Sequence, residues 1–243
     1  GEPWDYNHAP AGMKILSPYA SEEGGRWFTG TANAIYENLD YIDSVNPRYV
    51  VILSGDHIYK MDYMAMVKEH VAKGADGTIS VIEVPWEDAP RFGIVNIDEG
   101  GRIEEFDEKP EQPKNNMASM GIYVFTWKVL REYLIADEKQ GESDHDFGKN
   151  ILPTMLREGR RLFAYRFDGY WKDVGTVRSY WESNLDLLNR KNSLRLLDGD
   201  WRIYTNNANL PPHRIGKEAK ISEALINEAC GIYGDVTKCV LFS

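Results

Sequence analysis

The stretch Arg48-Tyr-Val-Val-Ile-Leu-Ser-Gly-Asp56 carries the strongest fold signal in the sequence. Its apolar, β-branched first part predicts a buried strand, and Ser54-Gly55-Asp56 predicts a tight loop at the end of that strand. A helix is predicted next at residues 61–73, followed by a second β-branched strand at residues 78–84. This order of strand, helix and strand predicts an α/β layer with a mixed, mostly parallel sheet.

The flanking sequence continues the alternation of strands and helices. Apolar residues from Ala32 to Ile42 recur at three- and four-residue steps, which predicts a helix before the first strand. The remaining predicted elements are a hairpin of residues 93–97 and 102–106, strands at 119–126 and 162–167, and helices at 128–136, 147–158 (interrupted near Pro153) and 177–188.

A different periodicity follows a polar, proline-rich segment at residues 206–212, which is predicted to be a linker. Ile215 and Ile221 are six residues apart, as are Ile226 and Ile232, with small residues between them. A six-residue period with small spacers is typical of a parallel β-helix, and about two coils are present. The sequence therefore predicts two domains, residues 1–205 and residues 206–243. Because a solenoid needs several repeats to bury its faces, we expect the second domain to be incomplete.

The composition indicates which ligands the protein can bind and where it is located. The chain of 243 residues has a formal net charge of −10, which argues against a general role in DNA or RNA binding but allows one small phosphate ligand. Two cysteines cannot form a disulfide framework, so we expect a reducing, cytoplasmic location. No apolar run approaches the length of a membrane span, and no secretory signal is visible.

Three charged side chains are candidates for chemistry. Asp56 follows the predicted strand at the edge of the sheet, where a carboxylate can hold Mg²⁺ or simply form a turn. Asp173 lies among aromatic residues and glycines, which fits either a closed pocket or a packed turn. Lys109 precedes Pro110, which restricts its backbone, and its ammonium group can bind a phosphate or remain solvated.

Weaker candidates surround these three. Glu108 can accept hydrogen bonds from sugar hydroxyls, and the backbone of Gly30-Thr31 at a predicted helix start can bind phosphate or a base edge. We expect His57 to pack rather than to ligate a metal, and the acidic cluster Asp144-His145-Asp146 to cap the following helix. The sequence contains neither a GxGxxG motif nor a P-loop.

Seven motifs follow one another along the chain. They are Trp27-Phe-Thr-Gly-Thr-Ala-Asn-Ala34, Val51-Ile-Leu-Ser-Gly-Asp-His-Ile-Tyr-Lys60, Phe92-Gly93, Phe106-Asp-Glu-Lys-Pro110, Ser119-Met-Gly-Ile-Tyr-Val-Phe125, Asp146-Phe-Gly-Lys149 and Tyr170-Trp-Lys-Asp-Val-Gly-Thr176. Taken in this order, they resemble the motifs of bacterial glucose-1-phosphate adenylyltransferases, also called ADP-glucose pyrophosphorylases. The resemblance covers essentially the whole chain, and the Gly30-Thr-Ala-Asn33 form is similar to that of the Gram-positive-type enzymes.

The resemblance implies a fold, a reaction and an assembly. The implied fold is a Rossmann-like nucleotidyltransferase domain followed by the start of a left-handed parallel β-helix. The implied reaction joins ATP and α-D-glucose 1-phosphate to give ADP-glucose and pyrophosphate, the first committed step of bacterial glycogen synthesis. The family usually forms homotetramers, and some members pair with a regulatory subunit.

The resemblance also implies a role for individual residues. Asp56 and Asp173 would bind Mg²⁺. Residue 28 is commonly Tyr in the family, so Phe28 keeps a ring but loses a hydroxyl group. Glucose 1-phosphate would contact Phe28, Gly93, Glu108, Lys109 and Ser119, and the nucleotide would lie beside Gly30 and Thr31.

One family motif, the glycine-rich nucleotide loop Gly-Gly-x-Gly-x-Arg-Leu, is absent from this sequence. We therefore expect a fragment with an incomplete sheet that lacks full activity by itself. Two alternatives remain open at this stage. One is a sugar-1-phosphate nucleotidyltransferase that uses UTP, GTP or dTTP, and the other is a non-catalytic regulatory subunit. The presence of Asp56, Lys109 and Asp173 argues against the second.

Overall fold

A computed structural model describes residues 14–18, 20, 21, 24, 25, 27–189, 194, 196, 201, 203 and 209–242. Contacts divide the chain into two compact units. The first unit described below contains Leu16–Ser54 and Met61–Asp168, and the second contains Gly55–Lys60 together with the described residues from Gly169 onward. The predicted domain boundary at 205/206 and most of the predicted linker lie outside the described residues, so both remain predictions.

The described secondary structure alternates between strands and helices. The helices are α1 (Thr31–Tyr36), α2 (Leu39–Val45), α3 (Tyr63–Ala72), α4 (Trp127–Glu138), α5 (Leu152–Arg157) and α6 (Val177–Asp186), with a 3₁₀ turn at Ala89–Arg91 and a π-helical turn at Phe147–Ile151. The strands are β1 (Ala20–Ser21), β2 (Gly24–Gly25), β3 (Tyr49–Ile52), β4 (His57–Tyr59), β5 (Gly77–Glu83), β6 (Gly93–Ile97), β7 (Ile103–Glu108), β8 (Met117–Thr126), β9 (Leu162–Arg166), β10 (Trp171–Asp173), β11 (Arg214–Ile215), β12 (Lys220–Ile226), β13 (Gly231–Ile232) and β14 (Asp235–Leu241).

Local sequence explains where several helices begin. Asp62 caps α3, since its side chain accepts a hydrogen bond from the backbone N–H of Met64 at 2.9 Å. The predicted interruption near Pro153 is confirmed: a π-helical turn ends at Ile151, and the proline lies in the first turn of α5, where its missing N–H costs no hydrogen bond. The single helix predicted across Ala32 to Ile42 is instead two short helices, α1 and α2.

The first unit is built on a six-stranded sheet in the order β7-β6-β8-β5-β9, with β3 paired to the end of β8. A mixed α/β sheet is therefore confirmed, but the expectation of mostly parallel pairing is wrong for this sheet. Among its described strands only β5 and β9 pair in parallel, whereas β6–β7, β6–β8, β5–β8 and β3–β8 are antiparallel. The reason is that parallel strands need a long crossover, usually a helix. The β6–β7 hairpin has a tight turn, and a loop without a helix leads from β7 to β8, which pairs with β6.

The core of this unit lies between the sheet and the helices α4 and α5. Phe125, Leu130 and Met155 are completely buried within it. Phe125 also stacks on Phe147, at a centroid distance of 5.8 Å. The π-helical turn is thereby attached to the sheet by aromatic packing.

A buried histidine gives the first unit a pH-dependent stability. His70 is fully buried; its Nδ1 lies 2.8 Å from the hydroxyl of Thr78 and its Nε2 lies 3.1 Å from the hydroxyl of Thr126. Burial lowers the pKa of His70 from 6.5 to about 4, although the Asp76 carboxylate opposes this shift. His70 therefore stays neutral in the native state at pH values where the same imidazole is already protonated in the unfolded chain.

We expect the His70→Gln variant to show a flatter dependence of stability on pH. Above pH 6.5 the neutral His70 of the wild type makes its full contribution to the free energy of unfolding. This contribution is lost as the pH falls from 6.5 toward 4, because the histidine then binds a proton in the unfolded state but not in the native state. The total loss is about 3 kcal/mol. Urea denaturation at several pH values measures the difference in slope. The exposed His213→Gln variant serves as control, and an identical slope in wild type and His70→Gln would contradict this account.

The second unit contains short, separate strand pairs. β4 and β10 pair antiparallel, whereas β11 pairs with β13 and β12 with β14 in parallel. Parallel pairing between successive segments agrees with the predicted β-helix coils, but a left-handed β-helix remains a prediction. Across both units, none of the described helices has the length and apolar character needed to cross a bilayer.

Candidate functional site

Two carboxylates predicted as metal ligands meet on the small β4–β10 ladder of the second unit. Antiparallel pairing places Asp173 opposite His57, next to Asp56. The backbone N–H of Val174 donates to the carbonyl oxygen of Asp56 at 3.0 Å and closes the ladder. The N–H of Gly175 donates to Asp173 Oδ1 at 2.7 Å, which orients this carboxylate.

The geometry of this cluster suits a divalent cation. One ligand atom from each of Asp56, His57 and Asp173 lies within 4.8 Å of the other two. The Asp56 side chain is 62% exposed, so an ion carried by a substrate has access to it. Two carboxylate oxygens at such a distance are ligands for a hard cation, whose charge would offset their mutual repulsion. The residues present therefore fit a divalent metal.

His57 is closer to this cluster than the sequence suggested. Its Nε2 lies 3.6 Å from Asp56 Oδ1, and its ring meets the edge of Trp171 at a centroid distance of 5.2 Å. The aromatic contact agrees with the expectation that His57 packs. Sequence alone did not indicate that it also lies among the candidate ligands.

A second cluster, in the first unit, surrounds the carboxylate of Glu108. Built on Gly93, a β-carbon would lie 2.5 Å from the ring of Phe106 and 3.0 Å from Glu108 Oε2; built on Gly148, it would overlap with Glu108 Oε2. Both glycines therefore leave space for this carboxylate. Burial raises the pKa of Glu108, an effect that the Lys109 ammonium group opposes and the Asp146 carboxylate reinforces.

Lys109 adopts a backbone conformation that the sequence did not predict. A following proline normally favours an extended backbone, but Lys109 has φ +49°, in the left-handed region. Its N–H donates to the carbonyl oxygen of Phe92 at 3.2 Å, which holds this turn. The side chain is 65% exposed, with Nζ 3.7 Å from Glu108 Oε1, so the ammonium group is accessible to an anionic ligand. Strained conformations of this kind concentrate at functional sites.

Ser119 lies on the long strand β8, where it is buried and hydrogen-bonded to the side chain of Tyr123. Burial raises the pKa of Tyr123 to about 12, and the nearby carboxylates of Glu108 and Asp146 act in the same direction. The phenol therefore stays protonated at neutral pH. Tyr123 was not among the residues predicted from sequence, although it stands within the same motif as Ser119.

Gly30 and Thr31 are joined to the Glu108 cluster by the segment 144–149. The Thr31 hydroxyl donates to Asp146 Oδ2 at 2.9 Å and accepts from the N–H of Phe147 at 3.1 Å. Asp146 Oδ1 accepts from the N–H groups of Gly148 and Lys149, which confirms the predicted helix-capping role of this acidic cluster. Asp146 thus contacts Thr31 directly and influences Glu108 electrostatically.

The first unit therefore brings Gly30, Thr31, Gly93, Glu108, Lys109 and Ser119 into one connected neighbourhood. Phe28, the remaining predicted contact, is half-buried. Gly148 was missed as part of this neighbourhood, although a glycine directly after Asp146-Phe147 was a visible signal of close approach.

Residues 7–190 match the nucleotidyl transferase family. The chain belongs to this family. Among curated relatives of this nucleotidyl transferase, the glucose-1-phosphate adenylyltransferases of Acetivibrio thermocellus, Bacillus anthracis and Geobacillus stearothermophilus are 54%, 56% and 55% identical to it over 242 residues. These alignments cover 100% of the chain but only 57%, 64% and 62% of the relatives, so the chain spans about three fifths of their length.

Proposed function

We propose that the protein is a glucose-1-phosphate adenylyltransferase, which makes ADP-glucose and pyrophosphate from ATP and α-D-glucose 1-phosphate. The main observation is the Asp56–Asp173 pair, whose ligand atoms lie within 4.8 Å of each other in a chain that matches relatives of that name along its full length. This reaction calls for a divalent cation, because two negatively charged substrates must approach each other, and an acidic pair can hold such an ion.

In this proposal the acidic pair holds Mg²⁺. When bound there, Mg²⁺ would supply charge neutralisation and orientation at the α-phosphate of ATP. The phosphate oxygen of the sugar then attacks the α-phosphorus in line, and pyrophosphate leaves. The protein's part is positioning and electrostatics rather than covalent catalysis.

The sugar phosphate is assigned to the Glu108 cluster. Lys109 offers an exposed ammonium group for the phosphate, and Glu108 offers carboxylate oxygens for sugar hydroxyls. Gly93 and Ser119 complete this assignment, and Phe28 supplies an apolar ring. Gly30 and Thr31 are assigned to the nucleotide.

Three further parts of the proposal rest on the family resemblance of the sequence motifs. They are a place in bacterial glycogen synthesis, a cytoplasmic location where ATP is available, and self-association into a homotetramer or pairing with a regulatory subunit. Light scattering on the purified protein measures the assembly directly.

We expect the intact protein to release pyrophosphate from ATP and glucose 1-phosphate at least about tenfold faster than from UTP, GTP or dTTP. A coupled pyrophosphate assay with each nucleotide at the same concentration measures this preference. A preference for another nucleotide would favour a related sugar-1-phosphate nucleotidyltransferase. Turnover with none of the four would instead favour a regulatory subunit, and either result would overturn the proposal.

A further inference from the structure

The carbonyl oxygen of His145 determines where helix α1 begins. It accepts hydrogen bonds from the backbone N–H of Ala32 at 2.8 Å and of Asn33 at 3.3 Å. A β-carbon on the preceding Gly30 would overlap with the carbonyl oxygens of Asp144 and His145. The Gly30–Thr31 segment is therefore packed directly on the backbone of residue 145.

That backbone is held in an unfavourable conformation by the side chain of the same residue. His145 has φ +51°, which is costly for a residue with a β-carbon. Its Nδ1 lies 2.7 Å from Oδ2 of the buried Asp137. The other oxygen of Asp137 accepts from the Ser143 hydroxyl at 2.7 Å, and this hydroxyl accepts from the N–H of His145 at 3.0 Å. The network therefore holds both the backbone N–H and the imidazole ring of His145.

The last turn of α4 reaches the same segment by a second route. Asn33, which is buried, donates from its side chain to Glu138 Oε2 at 3.3 Å and accepts from the N–H of Thr29 at 3.1 Å. Asn33 thus links Thr29, on the other side of Gly30–Thr31, to Glu138, while the neighbouring Asp137 is linked to Ala32 and Asn33 through His145.

We propose that His145, held by Asp137, is a positioning residue for the nucleotide. It sets the backbone geometry of Gly30 and Thr31, and it does not itself touch the substrate. This inference rests on the proposed function, because it takes the Gly30–Thr31 segment as the nucleotide contact. The sequence predicted that the Asp144-His145-Asp146 cluster caps the following helix. In the structure the capping side chain is that of Asp146.

Two substitutions at residue 145 distinguish a role of His145 in positioning Gly30 and Thr31 from a role in the stability of the fold alone. His145→Ala removes the hydrogen bond to Asp137 and keeps a β-carbon at positive φ. His145→Asn keeps a donor near the position of Nδ1, and asparagine tolerates the left-handed region better than most residues. Glu132→Gln changes a surface ion pair on the same helix and serves as control.

The first measurement needs no substrate. Hydrogen–deuterium exchange should show faster exchange of the Ala32 and Asn33 amides in His145→Ala, with wild-type protection in His145→Asn and Glu132→Gln. The second is kinetic: in the intact protein, His145→Ala should raise KM for ATP about tenfold and leave KM for glucose 1-phosphate within about twofold.

The outcomes are distinguishable. Unchanged amide exchange in His145→Ala would overturn the positioning role, whatever the protein's activity. Faster exchange with equal changes in both KM values would reduce His145 to a structural residue and also overturn it. If wild type turns over no nucleotide, the proposed function fails, and the inference about nucleotide positioning fails with it even where the exchange result holds.

Discussion

Asp173→Asn is expected to lower the turnover of the intact protein about a thousandfold, equivalent to about 4 kcal/mol of transition-state stabilisation. Asparagine has nearly the same shape and can still accept from the N–H of Gly175, so the β4–β10 ladder should form. The substitution removes one of two negative ligands from the cluster. Titration with Mn²⁺, followed by electron paramagnetic resonance, should show weaker binding in parallel with the loss of turnover.

A matched control for Asp173→Asn lies nearby in sequence. Asp168 is exposed and does not belong to the cluster with Asp56 and His57, so Asp168→Asn makes the same change in charge without removing a ligand. We expect this variant to keep both metal affinity and turnover. Wild-type Mn²⁺ affinity in Asp173→Asn would show that the acidic pair does not hold the ion.

Lys109→Gln is expected to raise KM for glucose 1-phosphate about 30- to 100-fold, because a hydrogen bond to a charged group contributes about 2–3 kcal/mol. KM for ATP should change little. Glutamine keeps a long polar side chain on the same strained turn, so the backbone N–H of residue 109 can still bond to Phe92. Since the Lys109 charge opposes the raised pKa of Glu108, its loss should raise that pKa further. Steady-state kinetics over a range of pH measures both effects.

Lys114→Gln is the matched control for Lys109→Gln. Lys114 is an exposed lysine whose ammonium group pairs with Glu105, on the same strand β7 that carries Glu108. Its substitution removes one positive charge without touching the Glu108 cluster, so KM for glucose 1-phosphate should remain near the wild-type value. A similar rise in both lysine variants would point to long-range electrostatics rather than to a phosphate contact.

Sequence reasoning located the elements of the fold better than their pairing. The β-branched run after Arg48 and the spacing of apolar residues predicted most strands and helices within a few residues. The direction of pairing was missed, because a buried run such as residues 119–126 looks the same in a parallel and in an antiparallel sheet. Strand pairing depends on contacts between residues that are far apart in the sequence.

The candidate site shows the same limit at the level of side chains. Asp56 and Asp173 were each visible as an acid close to a glycine, but only the β4–β10 ladder brings them together. The left-handed backbone of Lys109 runs against the local preference that Pro110 imposes, so local rules predicted the opposite conformation. Tertiary contacts, here the hydrogen bond to Phe92, decide such positions.

The antiparallel pairing of β8 has a consequence for the order in which the first unit folds. This strand pairs with β3, where Tyr49 meets Thr126, and with β5 and β6, so its partners come from widely separated parts of the chain. Closing such large loops is entropically costly and slows folding. Ser119 and Tyr123 lie on this strand, so we expect the neighbourhood of the Glu108 cluster to be complete only in the folded unit, where a ligand can bind it. A ligand of that cluster should therefore protect the unit mainly by slowing its unfolding.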